Sequence, residues 1–130
     1  MRSYKTQAII IKRINFSEAD RILTIFTKRY GKIRAIAKGV RRITSRRGGN
    51  LEVFNLVTVF LTEGRNFEII TEAEVIKPFL NLRRNLKKVG LAYYFCELVD
   101  SLCPERQEND QVFELLSKIL DSLEEEGEIG

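Results

Sequence analysis

The spacing of apolar and polar residues changes once along this chain, at Pro78. Before it, apolar residues alternate or run in short blocks; after it, they recur at helical spacing. Five segments read as strands. Residues 6–14 are short and β-branched. Residues 20–28 alternate, with Ile22, Thr24 and Phe26 on one face and Leu23, Ile25 and Thr27 on the other. The turn 29-RYGK-32 has its glycine where a tight hairpin needs positive φ. Residues 32–40 put Ile33, Ala35 and Ala37 on one side and Arg34, Ile36 and Lys38 on the other, so Arg34 and Lys38 share a face. Residues 52–61 are nearly all apolar, which suits a strand covered on both faces. A second hairpin signal, 62-TEGRN-66, precedes residues 67–75. There Phe67, Ile69, Thr71, Ala73 and Val75 are predicted inward, and Glu68, Glu72 and Glu74 outward. Short antiparallel strands with no long helix between them predict a small closed barrel.

From Leu82 to Leu102 the pattern is helical, with Leu91, Phe95, Leu98 and Leu102 on one stripe and Tyr94 and Val99 beside it. This stripe, with Cys96 and Cys103, is predicted as helix core. Pro104 closes the helix. Asp110 is the predicted N-cap of a second helix whose apolar face is Val112, Leu116, Ile119 and Leu123. Two helices enclose little core alone. They either pack on the barrel or begin a helical domain; the second is favoured, and the end 124-EEEGEIG-130 reads as a truncation. The predicted division is a nucleic-acid-binding domain over 1–80 and a helical region over 81–130.

Charge sharpens this outline. The net charge is only +4, but residues 1–50 hold fourteen Lys/Arg against Glu18 and Asp20, and residues 96–130 hold two against eleven acids. A cationic half beside an anionic third points to a polyanion partner for the former. The densest stretch is 38-KGVRRITSRRGG-49, with five basic residues and no acid. It reads as a grip on a phosphate backbone or as a solvated connector. Following the strand that carries Arg34 and Lys38, it makes a continuous track with Arg41, Arg42, Arg46 and Arg47.

Candidate catalytic chemistry is sparse. The chain has no His, the commonest general base and metal ligand, and its two cysteines have no second pair for a zinc site. Glu18 and Asp20 in 17-SEAD-20 are either a metal carboxylate pair or, as preferred, a turn that satisfies backbone donors. The pair 48-GG-49 lacks the Gly-Lys-Ser/Thr of a phosphate loop. No stretch suggests a signal peptide or a bilayer span, so a reducing cytoplasmic setting is expected. For base stacking the candidates are Phe26, Tyr30, Phe54, Phe60 and Phe67; Phe26, Phe54 and Phe60 read as core, and Tyr30, beside Arg29 and Lys32 at a hairpin tip, is the better candidate.

The ordered set 17-SEAD-20, 26-FTKRYGKIR-34 and 37-AKGVR-41, followed by 51-LEVFNLVTVFLTEG-64, resembles the bacterial DNA repair and recombination mediator family RecO. The resemblance implies a five-stranded antiparallel OB-fold barrel followed by helices, mainly β with α, and no enzymatic turnover or cofactor. It implies binding of single- and double-stranded DNA and annealing of complementary strands, including strands coated by single-strand-binding protein. It implies partnership with RecR to load RecA, in a nucleoid-associated cytoplasmic setting. The family's basic DNA face falls on Arg34, Lys38 and Arg41; Arg42, Arg46 and Arg47 extend it electrostatically, with Lys32 and Tyr30 on the same hairpin. Family members are longer, many with a cysteine zinc module further along, and the family's contact for the single-strand-binding protein tail lies in its helical part. The rival reading is a basic barrel that docks an acidic protein or RNA.

Overall fold

A computed structural model describes residues 2–41 and 49–125. Five strands, β1 (Ser3–Phe16), β2 (Asp20–Thr27), β3 (Gly31–Ala37), β4 (Leu56–Thr62) and β5 (Glu68–Lys77), close into a barrel. Three helices follow among the described residues: α1 (Leu80–Arg83), α2 (Leu86–Leu102) and α3 (Asp110–Glu125). The strand order around the barrel is β1-β2-β3-β5-β4, that of an OB-like fold. All neighbours run antiparallel except β3 and β5, which pair in parallel through Ala35↔Glu68 and Ile36↔Ile69. The expectation of a purely antiparallel barrel is therefore corrected. The reason is parity: a closed ring of an odd number of strands cannot alternate direction at every step.

The alternation read in β2 and β3 places the barrel interior. Leu23, Ile25, Ile33, Ala35 and Ala37 are buried, and Arg34 and Lys38 are exposed. Each fully buried Leu or Ile side chain contributes roughly 1.5–3 kcal/mol relative to exposure. β1 is long because it serves both neighbours, pairing with β4 through residues 3–9 and with β2 through residues 8–16. A bulge between Ile10 and Lys12 bends it from one to the other.

Two strand predictions are corrected. In β4, Val57, Val59 and Leu61 are buried while Thr58, Phe60 and Thr62 are partly open, so only one face is fully covered. Residues 52–55 precede the strand in a loop where Phe54 takes φ 81°. In β5 the assigned faces reverse at its start: Glu68 and Ile70 point inward, at 2% exposure each. The cause is an extra residue, Thr71, between the pairs Leu61↔Ile70 and Phe60↔Glu72. Beyond it Ala73 is inward and Glu72 and Glu74 are exposed, as the alternation predicts.

The helices pack on the barrel and share one core with it. Phe26, on the outside of β2, stacks on Phe113 of α3 with centroids 6.3 Å apart. α2 presents Ala92 and Cys96, small residues that allow close approach, and buries Lys88 with them. The predicted stripe is corrected: Leu91, Leu98 and Leu102 are 40%, 40% and 72% exposed. α2 is apolar on more than one side, so periodicity alone cannot choose the packed face. Cys96 and Cys103 are buried free thiols, and burial pushes the Cys96 thiol up to about 12. α3 buries Phe113, Leu116, Leu120 and Leu123. Its cap is Asn109 rather than Asp110, because the Asn109 side-chain oxygen accepts the Val112 N–H at 3.1 Å.

The segment joining α2 to α3 fastens the helices to the start of β3. The Arg106 N–H donates to the Lys32 carbonyl at 2.8 Å, and its guanidinium reaches the buried Glu68 carboxylate at 3.3 Å. The Tyr4 hydroxyl donates to the same carboxylate at 2.5 Å. Gly31, at φ 71°, lies so close that any Cβ would overlap the Gln107 backbone. On the outer side, Lys32 Nζ donates to the Asp100 carbonyl at 2.8 Å and to its carboxylate at 3.1 Å.

Burial, then the bond to Glu68, raises the Tyr4 pKa well above the ordinary tyrosine value. A raised folded pKa contributes stability that is complete below the unfolded value, about 10, and lost as pH climbs beyond it. In urea melts the stability advantage of the native chain over Tyr4→Phe is expected to hold from pH 7 to 9 and to shrink above pH about 10. An advantage independent of pH would contradict the clasp.

Candidate nucleic-acid interface

Strand parity sets one row of side chains on the outer face of β1, β2 and β3, exposed at Lys12 and Arg34 and buried between them at Thr24. The pairs Lys12↔Thr24 and Thr24↔Arg34 form a row across β1, β2 and β3 on the outside of the barrel. The next row is Ile14↔Ile22 and Ile22↔Ile36. With strands about 4.8 Å apart, the backbones at Lys12 and Arg34 stand about 10 Å from each other. Phe16 ends the β1 edge of this face at 44% exposure, and Ile14 is 48% exposed. Phe67, just before β5, faces outward, which corrects its predicted inward position. Its ring meets Phe16 edge-on at 6.4 Å and carries the Arg34 guanidinium at 5.3 Å.

Beside this face the motifs SEAD and AKGVR prove to be two halves of one clip. The Asp20 carboxylate accepts the Gly39 N–H at 2.7 Å and the Ser17 hydroxyl at 3.2 Å. The Arg41 N–H donates to the Ala19 carbonyl at 2.9 Å, and its guanidinium donates to the Ser17 carbonyl at 2.7 Å. Gly39 stands at φ 70°, a conformation that disfavours a side chain. Asp20 thus serves backbone donors, the preferred reading of that turn. Lys38 and Arg41 are both exposed at this end of β3. Arg42, Arg46 and Arg47 fall in 42–48, outside the described residues.

Tyr30 and Lys32 belong to the other end of β3, about 20 Å from Lys38 by strand rise. The Tyr30 ring packs edge-on against Tyr4 at 4.8 Å, and the Arg2 guanidinium covers both rings. Lys32 is taken up by Asp100. Along β3, therefore, Lys38 and Arg41 lie at the clipped end and Lys32 at the other, with Arg34 between them, about 7 Å from Lys32 and about 13 Å from Lys38 by strand rise. Of the other rings, Phe26 and Phe54 are buried, whereas Phe60 is partly open under Lys5 Nζ at 5.9 Å, which corrects its placement in the core. Arg83, basic in composition, is also internal: it donates to the Val53 carbonyl and the Asn55 side chain, each at 2.7 Å.

Sequence reasoning missed Phe16 and Lys12. The signal was present, since Lys12, Ile14 and Phe16 share parity up to the SEAD turn, but the strand was ended at Ile14.

Comparison with known proteins bears on this face. Residues 1–79 match the family described as Recombination protein O N terminal, and residues 83–129 match Recombination protein O C terminal. A DNA repair protein RecO from Roseiflexus sp. (strain RS-1) is 42% identical over 122 residues, covering 94% of this chain and 43% of that protein. The DNA repair protein RecO of Geobacter metallireducens is 37% identical over 125 residues, 96% of this chain and 51% of that one. One from Dehalococcoides mccartyi (strain ATCC BAA-2266 / KCTC 15142 / 195) is 38% identical, covering 93% and 48%. The chain spans about half the length of the curated relatives it matches.

If Asp20 closes the clip, Asp20→Ala should release the Gly39 amide. A bond to a charged acceptor contributes about 1.5–3 kcal/mol, so its hydrogen exchange is expected to accelerate about tenfold or more. Unchanged exchange at Gly39 would show that the loop holds its shape without the carboxylate.

Proposed function

The chain belongs to the RecO family, and we propose that its barrel is a non-catalytic DNA-binding and strand-annealing device of recombinational DNA repair. The observation that carries this reading is the outer face of β1, β2 and β3. It exposes Arg34 in the row that Lys12 begins, Lys12 itself meeting Asp100 of α2 at 4.0 Å, with Lys38 and Arg41 at the clipped end. Fourteen basic residues against two acids in the first fifty place that face in a strongly positive field. One of the two acids, Asp20, is engaged in the clip.

The mechanism is charge screening. Phosphates that contact Lys and Arg release their counterions, and this supplies affinity without regard to sequence. Two complementary strands held on one cationic surface repel each other less, and base pairing does the rest. Arg34, Lys38 and Arg41 make the proposed first contacts, with Arg42, Arg46 and Arg47 adding charge next to them in the chain. Lys32 holds α2 through Asp100 instead, and Tyr30 packs against Tyr4. The acidic helices, with Asp110, Glu114, Asp121 and Glu124, turn DNA away from their side. Family membership supports the further proposals that the chain acts with RecR, on DNA coated by single-strand-binding protein, and so helps load RecA. It also supports the division into a DNA-binding domain over 1–80 and a helical region over 81–130, and a cytoplasmic setting. Among the described residues no helix is long and apolar enough to cross a membrane.

A salt titration tests the reading. If about six phosphates are neutralised on single-stranded DNA, log K is expected to fall against log salt with a slope near roughly −4. A slope near zero contradicts the mechanism. The double variant Arg34→Ala, Lys38→Ala is expected to lower the slope by roughly 1 to 2 and to weaken binding to all sequences alike. Its thermal transition should stay within a few degrees of the parent, because both residues lie on the surface. Tighter binding of an acidic peptide or of RNA than of DNA in the same titration would favour the rival reading.

A further inference from the structure

The geometry points to Phe16 and Phe67 as a stacking platform for unpaired bases, which makes the cationic face selective for single strands over duplex; this rests on the DNA-binding reading above. Among the described residues the hydrophobic core is assembled without them: neither ring, nor Ile14, belongs to the core cluster or to the side chains packed against it. Two phenylalanines nevertheless meet on the outside of the barrel, with Phe16 44% exposed. A ring as open as Phe16, backed by a partly covered Phe67, contributes little to folding, so its use lies in contact with something else.

Charge complementarity chooses the occupant. The Arg34 guanidinium lies over the Phe67 ring, 5.3 Å from its centre, and Lys38 is exposed farther along the same strand. An exposed Phe16 ring, edge-on to a Phe67 ring that carries a guanidinium, matches a nucleotide, whose base has two π faces and whose phosphate is an anion. An apolar protein surface fits the rings and Ile14 but leaves the cations unmatched. An acidic peptide fits the cations but not the rings. Duplex DNA offers phosphates while its base faces are stacked on each other. The rings therefore act only on single strands, and the phosphate contacts act on both.

The test separates rings from charges. The full chain is titrated with an oligothymidylate of about 12 nucleotides, a site size within the range of such barrels. Parallel titrations use an abasic deoxyribose-phosphate oligomer of equal length and a duplex. Stacking on one ring changes affinity by about fivefold to a hundredfold, so oligothymidylate is expected to bind at least fivefold tighter than the abasic chain. Phe16→Ala is expected to remove that preference while leaving abasic and duplex affinities unchanged. The chain has no tryptophan, so Phe16→Trp supplies a lone fluorophore. Its emission should be quenched by oligothymidylate and not by the abasic oligomer, and it should retain the preference. Equal affinity of the parent for oligothymidylate and the abasic chain overturns the stacking inference and leaves the charge-screening reading intact. Equal weakening of all three ligands by Phe16→Ala, with Phe16→Trp unquenched, overturns it as well. Absence of binding to any of the three overturns both.

Discussion

The ion pair between Arg106 and Glu68 governs how the two parts of this protein meet. Glu68 points inward only because Thr71 bulges out of β5, and a carboxylate so buried needs partners. Arg106 and the Tyr4 hydroxyl supply them. To reach Glu68, the α2–α3 connection must lie against Gly31 and Lys32, where only glycine leaves room for the Gln107 backbone. Once that connection is seated, Asp100 meets Lys32 and Phe113 meets Phe26. The helices are thereby committed to one end and one side of the barrel. Lys12 also reaches Asp100, at 4.0 Å, whereas Arg34, Ile14 and Phe16 stay exposed beyond the helices.

The same docking sorts the cations by role. Composition shows a basic half and an acidic third, but it does not show which charges meet. Lys32 is paired with Asp100, Lys77 with Asp121, and Arg106 with Glu68. Arg83 serves carbonyl and amide oxygens around Phe54, with its pKa lowered first by burial. Arg34, by contrast, lies over a ring, and Arg41 gives one N–H to a carbonyl of the adjacent turn. A guanidinium has five N–H donors, so Arg41 can shape its loop and still present charge. Position relative to the helices, more than local density of Lys and Arg, decides which basic residues face outward.

Much of this was legible in the chain. Alternation in residues 20–28 and 32–40 located the barrel interior, and the change of period at Pro78 located the start of the helices. Other features were not, for physical reasons. A bulge is one residue with no marker of its own, yet Thr71 reversed the faces assigned at the start of β5. Parallel closure of β3 on β5 follows from the ring and not from either strand. The face that α2 buries is set by the barrel surface it meets. Lys32 and Asp100 are separated by 68 positions, beyond any local pattern. The SEAD and AKGVR motifs were visible as pieces, but only the fold shows them joined through Asp20 and Gly39.

The central claim is that the helix-bound end of the barrel is closed to DNA and that DNA meets the exposed side chains of β1, β3 and the turn that follows β3, Phe16, Arg34, Lys38 and Arg41 among them. An NMR titration of isotope-labelled protein with a short single-stranded oligonucleotide tests this most directly. Shifts should concentrate at Lys12 to Phe16, Arg34 to Arg41 and Phe67, and leave Tyr30, Arg106 and α3 in place. Shifts centred on α2 and α3, or on Tyr30 and Arg106, would contradict the account.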